Sequence, residues 1–314
     1  MHPLLPVDVR DEVASALQNR QPVVALGSVV LAYSLPWPVN LETARMAEAA
    51  ARKEGATLAI LAVWQGKLTV GLTPSEMEAL CHGASVLRAT RRDLAEATVR
   101  GLTAATTVAA SMYIAYRAGI RLFATGAIGG AARGGEHGWD VSADLFELSR
   151  TPVAVVSAGV RSVVNLERTS ELLESYSVPV IGYCTDRFTS FYLREGGPRV
   201  SIRADQPEEI AVLLAAHWGM NGAGVVVAQP TPEAVALTPD ELEPAMAAIE
   251  AQAAREGVRN KEFPGFMTDR LNRLAKGKPL KAYQAILVAN VRLAAQIARA
   301  SLSPRAEPHQ PAVS

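Results

Sequence analysis

Short apolar runs rich in β-branched residues alternate with stretches of helical periodicity along most of the chain, and no other feature narrows the fold as much. The runs at 23–26, 57–63, 122–125, 153–157, 178–183 and 224–227 have the length of buried strands. Helical patterns occupy 41–53, 103–117, 163–175 and 207–217 between them. Parallel strands need a crossover, usually a helix, and continuous apolar strands bury both faces. The expectation is a layered α/β fold. Two helix starts are explicit: Thr73-Pro74-Ser75-Glu76 and Thr238-Pro239-Asp240-Glu241 each place a capping hydroxyl, a first-turn proline and a reciprocal glutamate. Beyond Thr238 the pattern is nearly all helical, ending in an alanine-rich stretch at 280–302. Residues 303–314 read as a disordered tail and 1–302 as one domain, with the helical carboxyl end packed on the sheet or on a neighbouring subunit.

Composition removes several functions. Lys+Arg and Asp+Glu stand at 31 each, so no general basic face offers itself to nucleic acid, although Arg88, Arg91 and Arg92 form a local basic patch. The two cysteines, Cys81 and Cys184, lack metal-type spacing and read as buried small side chains. No basic-then-apolar amino terminus and no membrane-length apolar run occur, so a cytoplasmic protein without a membrane partner is expected. A nucleophile elbow, a Walker loop, a metalloprotease histidine pair and a zinc-type cysteine set are all missing.

The densest chemical signal lies at 123–144. Its glycines follow an expected strand, where α/β proteins place ligands, and let backbone N–H groups approach an anion. Arg133 could add charge-assisted bonds to phosphate; a purely structural surface loop is the competing reading. If the next stretch is helical, Asp140, Asp144 and Glu147 share one face. With Ser142 they suit a hard cation, Mn2+ or Mg2+, or else they are caps and a solvated acidic face. His137 reads as a surface residue. Thr106, Thr107 and Val108 open a helix whose donors and hydroxyls could hold phosphate or sugar, or could simply cap it. The Arg91-Arg92-Asp93 cluster reads as a solvated face, and 185–192 as a lid, a wall or aromatic core.

Together these segments resemble the pseudouridine-5′-phosphate glycosidase family. The resemblance rests on PVVAL at 22–26, LPWPVNLETA at 35–44, RRDL at 91–94, TTVAA at 106–110, FATGAIGG at 123–130, DVSADL at 140–145, RTPVAV at 150–155, VPVIGY at 178–183, and Phe188, Phe191 and Tyr192, in the family's order. It implies a three-layer α/β/α fold with a mostly parallel central sheet and a helical carboxyl-terminal part. It further implies a homotrimer and a Mn2+-assisted, reversible cleavage of a C–C glycosidic bond, with relatives that form C-glycosides in natural-product pathways. By position, Asp140 matches the metal ligand, while Val108, Ser142 and Asp144 match residues lining the substrate site.

The catalytic positions depart from the family. Its glutamate falls at Gly27, its imine-forming lysine at Arg161 and its assisting lysine at Arg88; an asparagine falls at Tyr283 and a histidine at Ala132. The six lysines are Lys53, Lys67, Lys261, Lys276, Lys278 and Lys281, leaving none between Lys67 and Lys261. An imine needs a neutral amine, and a guanidinium stays protonated. Imine chemistry from that segment is therefore excluded, although both arginines keep a cation suited to phosphate. Three readings follow: a metal-assisted enzyme making or breaking, without an imine, a C–C or C–N bond on a ribose-phosphate-like or natural-product substrate, a phosphorylated sugar or nucleoside-like molecule; a non-catalytic sugar-phosphate binder or partner protein; and a working glycosidase in which Glu42 or Asp93 substitutes.

Overall fold

Alternate residues of the strand Val23–Gly27 face opposite ways, and both sets are buried, which requires helices above and below the sheet. Val24 and Leu26 join one apolar cluster and Val23 and Ala25 another. The computed structural model describes residues 6–83, 85–133, 140–258, 263–274 and 277–302. Its strands are β1 (Val7–Val9), β2 (Val23–Gly27), β3 (Thr57–Trp64), β4 (Lys67–Val70), β5 (Leu87–Ala89), β6 (Ala104–Thr106), β7 (Leu122–Ala124), β8 (Ala131–Ala132), β9 (Ala154–Ser157), β10 (Val164–Asn165), β11 (Val180–Tyr183), β12 (Ile202–Ala204) and β13 (Val225–Ala228). The α-helices are α1 (Asp11–Gln18), α2 (Val39–Lys53), α3 (Pro74–His82), α4 (Leu94–Val99), α5 (Val108–Arg117), α6 (Ala143–Leu148), α7 (Leu166–Ser175), α8 (Pro207–Gly219), α9 (Pro239–Glu256), α10 (Phe263–Leu274) and α11 (Lys278–Ala300).

The main sheet runs β1-β4-β3-β2-β7-β9-β13-β11-β12, with β5 and β6 joined beside β3. Every pairing from β3 through β2 to β12 is parallel; β3 meets β4 and β6 antiparallel. This is the mostly parallel α/β/α architecture expected. Helices α2, α8 and α11 cover one face and α1, α4, α5, α6 and α7 the other. A third apolar cluster joins α9, α10 and the start of α11 to Phe191 and Tyr192, so the helical carboxyl end packs against the loops beyond the strands.

Several local expectations change. The helix expected at 103–117 begins at Val108, because Ala104–Thr106 pairs with β3 and β5; sheet pairing overrides the helical preference of its alanines. Similarly, Val164–Asn165 pairs with β8 before Asn165 caps α7 through the Arg168 N–H at 2.9 Å. Cys81 is buried as expected, and burial pushes its thiol up to about 11. Cys184 is exposed, since it sits past the end of β11 in a turn with φ +55°. No helix among the described residues is long and apolar enough to cross a membrane. The tail expected at 303–314 lies outside the described residues, as does His137.

Candidate functional site

Strand β2 sits where the order reverses: its chain neighbour β3 lies on one side and β7 on the other. Ligands of open α/β sheets bind beyond the carboxyl ends of strands at such a switch point. There the structure opens a cleft of 1340 Å³. It continues into an inner chamber of 40 Å³, and Thr107 and Arg161 line both.

The cleft gathers most of the expected residues: Arg88, Thr107, Arg133, Asp140, Ser142, Asp144 and Arg161 all line it. Arg88 arrives on β5, in register with Ala105 of β6. Arg161 follows β9 through Gly159, whose φ is +78°; a Cβ there would lie 1.9 Å from the Thr189 carbonyl oxygen, so only glycine fits. The loop is pinned on both sides, by Arg161 N–H donating to the Ile128 carbonyl at 3.0 Å and Phe191 N–H to that of Val160 at 2.7 Å. Neither guanidinium forms a hydrogen bond or contact ion pair with a described residue. Burial lowers the pKa of Arg88, the charge of Arg161 lowers it further, and Asp144 opposes both. Two cations that face one cavity without a contact counterion among the described residues give it a positive potential.

The threonine and aspartate positions divide into framework and free groups. Thr106 is framework: its hydroxyl donates to the Leu61 carbonyl at 2.9 Å and accepts from Ser111 at 2.9 Å, while its N–H donates to Ser28 Oγ at 3.0 Å. Thr107 differs. It is 5 % exposed, and its Oγ1 is buried without a hydrogen-bond partner among the described residues. Val108, the first residue of α5, lines the inner chamber. Asp144 fastens the glycine loop to α5, one oxygen accepting from the Ala109 N–H at 3.0 Å and the other from Gly129 at 2.9 Å. It thereby occupies a helix-start donor that the sequence assigned to ligand. Ser142 caps α6 through the Asp144 N–H at 3.2 Å, and its Oγ would lie 2.3 Å from a Cβ on Gly129.

Three expectations are corrected. Asp140, Asp144 and Glu147 do not share a helix face, because α6 starts only at Ala143; Asp140 lies before it. Glu147 is 1 % exposed and turned inward, bonded to Arg150 Nε at 3.0 Å and Thr151 Oγ1 at 2.6 Å. Of the cluster read as a solvated face, Arg92 is exposed, but Arg91 is only partly so, since its guanidinium stacks on Tyr113, 3.3 Å from the ring centroid. Arg133 lines the cleft, yet its guanidinium is already held by Glu243 of α9 at 2.9 and 3.1 Å.

The donors fit only a hydrated cation. Asp140 is exposed in the cleft with no side-chain partner among the described residues, whereas both Asp144 oxygens are engaged by amides. No cluster of three His, Cys, Asp or Glu among the described residues could cage a metal. One carboxylate with a neighbouring hydroxyl suits Mg2+ or Mn2+ that keeps most of its waters.

Gly27 ends β2 in the inner chamber. A Cβ there would meet Ser111 Oγ at 2.7 Å, with Phe123 Cζ and the Thr106 carbonyl oxygen at 3.3 Å. The place of a side chain at 27 is thus taken by Ser111. Of the lysines among the described residues, none lines either cavity, and Lys278 is paired with Glu241 at 2.8 Å. Lys261 and Lys276 lie outside the described residues.

Sequence reasoning missed two contributors. Asn290 of α11 is buried and donates to the Thr125 carbonyl at 2.8 Å, which seats that helix on the glycine loop. Glu250, Ala254 and Phe263 of α9 and α10 wall the cleft. The interrupted helical periodicity of that region gave no hint of which face turns inward.

The fold and cleft define an α/β/α protein with a cationic cleft at the switch point of its sheet. The chain belongs to the family described as indigoidine synthase A like protein, whose model matches residues 12–300. It is 42% identical over 294 residues to a pseudouridine-5′-phosphate glycosidase of Caldanaerobacter subterraneus subsp. tengcongensis, covering 93% of this chain and 95% of that one. A pseudouridine-5′-phosphate glycosidase 2 of Rhizobium johnstonii is 44% identical over 288 residues, covering 91% of this chain and 93% of the relative. Among solved structures, the prealnumycin C-glycosynthase AlnA in complex with ribulose 5-phosphate superposes with a TM-score of 0.87 at 36% identity, covering 96% of this chain and 98% of that one.

Proposed function

We propose that this chain binds a phosphorylated sugar or nucleoside-like molecule in the cleft and makes or breaks a C–C or C–N bond on it without a lysine imine. The observation that carries this reading is the convergence of Arg88 and Arg161, neither held by a contact partner, on the cavity that also receives Asp140. Two fixed guanidinium groups grip a phosphate dianion and hold its sugar over the chamber mouth. Asp140, with Ser142 beside it, would hold a hydrated Mn2+ or Mg2+, which supplies Lewis-acid polarisation of a ligand oxygen when bound. Names of relatives support the ligand class: pseudouridine 5′-phosphate and ribulose 5-phosphate are both phosphorylated pentose compounds. A single domain over 1–302, a homotrimer and a cytoplasmic location belong to the same proposal.

One observation favours a second reading, a non-catalytic binder of the same ligand. Ser111 fills the space beside Gly27, so no proton-transfer group reaches the chamber from that strand, and losing such a group typically costs 10²- to 10⁴-fold, as an order of magnitude. Calorimetry with ribose 5-phosphate, followed by assays with Mn2+ on pseudouridine 5′-phosphate and on uracil plus ribose 5-phosphate, separates them. Saturable ribose 5-phosphate binding supports both readings, and conversion of a pentose phosphate supports the first. Absence of binding removes both; glycosidase turnover at the rate of lysine-bearing relatives would remove the imine-free mechanism.

A further inference from the structure

The inner chamber contains hydroxyl groups that the reading above leaves unused. Thr107 Oγ1 is buried, unpartnered and on the boundary between chamber and cleft. A buried hydroxyl without a partner is destabilising, and it persists where a ligand supplies the missing bond. Tyr283 of α11 lines the same chamber with Gly27 and Arg161. Its ring meets Phe191 edge-on, with centroids 4.8 Å apart, and its Oη would be 3.2 Å from a Cβ on Gly126. Asn290 lies two turns further along the same face of α11 and fixes the helix to the Thr125 and Gly126 carbonyls. The phenol is therefore held at the glycine loop by an anchored helix. A volume of 40 Å³ is that of a few water-sized groups.

We propose that Thr107 and Tyr283 form a specificity-determining hydroxyl pair that reads the oxygen-bearing, non-phosphate end of the sugar in the inner chamber, while Arg88 and Arg161 hold the phosphate outside. This deepens the functional reading and rests on it. It also commits the ligand to presenting a small polar end, a carbonyl or hydroxyl carbon, ahead of any ring. Burial raises the Tyr283 phenol, opposed by a side-chain hydrogen bond with Ser34, which a ligand in the chamber would share or replace, and by the Arg161 charge. A phenol kept protonated is a hydrogen-bond donor, which suits a carbonyl oxygen.

Thr107→Val and Tyr283→Phe keep shape and remove only the hydroxyls. Calorimetry on the whole chain, with inorganic phosphate and ribose 5-phosphate as probes, tests the pair. Each variant should bind ribose 5-phosphate about tenfold more weakly, the size of one lost hydrogen bond, and phosphate as before. The Thr107→Val protein should melt no lower than the parent, because its hydroxyl has no internal partner to lose. Equal losses for both probes, or a lower melting temperature without ligand in Thr107→Val, would assign these hydroxyls to the framework and overturn the proposal. Unchanged ribose 5-phosphate binding would overturn it as well. If the parent chain binds no ribose 5-phosphate, the functional reading falls and this inference falls with it, whereas a binding parent with unaltered variants sinks the inference alone.

Discussion

At the scale of single residues, Gly27 and Ser111 have to be read together. One side chain's worth of space lies beyond β2, and Ser111 holds it through a 2.9 Å bond to Thr106. Gly27→Ala should cost roughly 1–3 kcal/mol, the usual cost of overpacking a filled site. Adding Ser111→Ala should recover part of that loss, since it removes the Oγ at 2.7 Å and keeps a good helix former inside α5. Thermal melting of the two variants checks this; a single variant as stable as the parent would mean that the space is not filled. The consequence for chemistry is direct. A glutamate restored at 27 together with lysines at 88 and 161 would meet Ser111 Oγ, which has to turn away or be cut back.

Among the elements, α6 acts as a staple rather than as a reactive surface. Asp144 accepts amide bonds from two separate segments, so Asp144→Asn turns one acceptor into a donor that faces an N–H. Stability should fall by about 1.5–3 kcal/mol, the range for bonds to a charged group, and ribose 5-phosphate should bind more weakly as the glycine loop loosens. Denaturant unfolding and calorimetry read the two effects. Helix α9 is tied to the same loop by Arg133 and Glu243, which are 31% and 50% exposed. Hydrogen bonding to Arg133 holds the Glu243 carboxyl below its ordinary 4.5. A depressed pKa stabilises fully above the unfolded value and is lost as pH falls through the folded one. The melting difference between the parent and Glu243→Gln should therefore be present above pH 4.5, shrink on the acid side and stay under about 1 kcal/mol, because the pair is solvent-screened. The alternation of apolar runs made the sheet, its helices and both capping boxes legible in the sequence, because burial and capping are written in local residue patterns. Strand β6, read from the sequence as the start of a helix, was not, since long-range pairing alone makes it extended. Nor could local patterning show that Arg133 is spent on Glu243, 110 residues away, or that Ser111 sits over Gly27.

For the whole molecule, the decisive quantity is the free energy held in two facing cations. Burial lowers the Arg88 pKa most and the charge of Arg161 lowers it further, while Asp144, Tyr33 and Asp93 oppose them from within the protein. A folded chain that keeps such a pair without ligand is less stable than it need be, a usual mark of a binding site. Arg161→Gln removes one charge and the repulsion with it. The unliganded variant should gain about 0.5–2 kcal/mol, a rise of a few degrees in melting temperature for a chain of this size. The parent, by contrast, should gain about 2.7 kcal/mol from ribose 5-phosphate at one hundred times its Kd, because that ligand binds only the folded state. The variant should show almost none of this gain. Differential scanning fluorimetry with and without ligand compares all four conditions. A variant that melts lower than the parent in the absence of ligand would mean that Arg161 holds the fold together, and the case for a cleft kept open for an anion would lose its energetic basis.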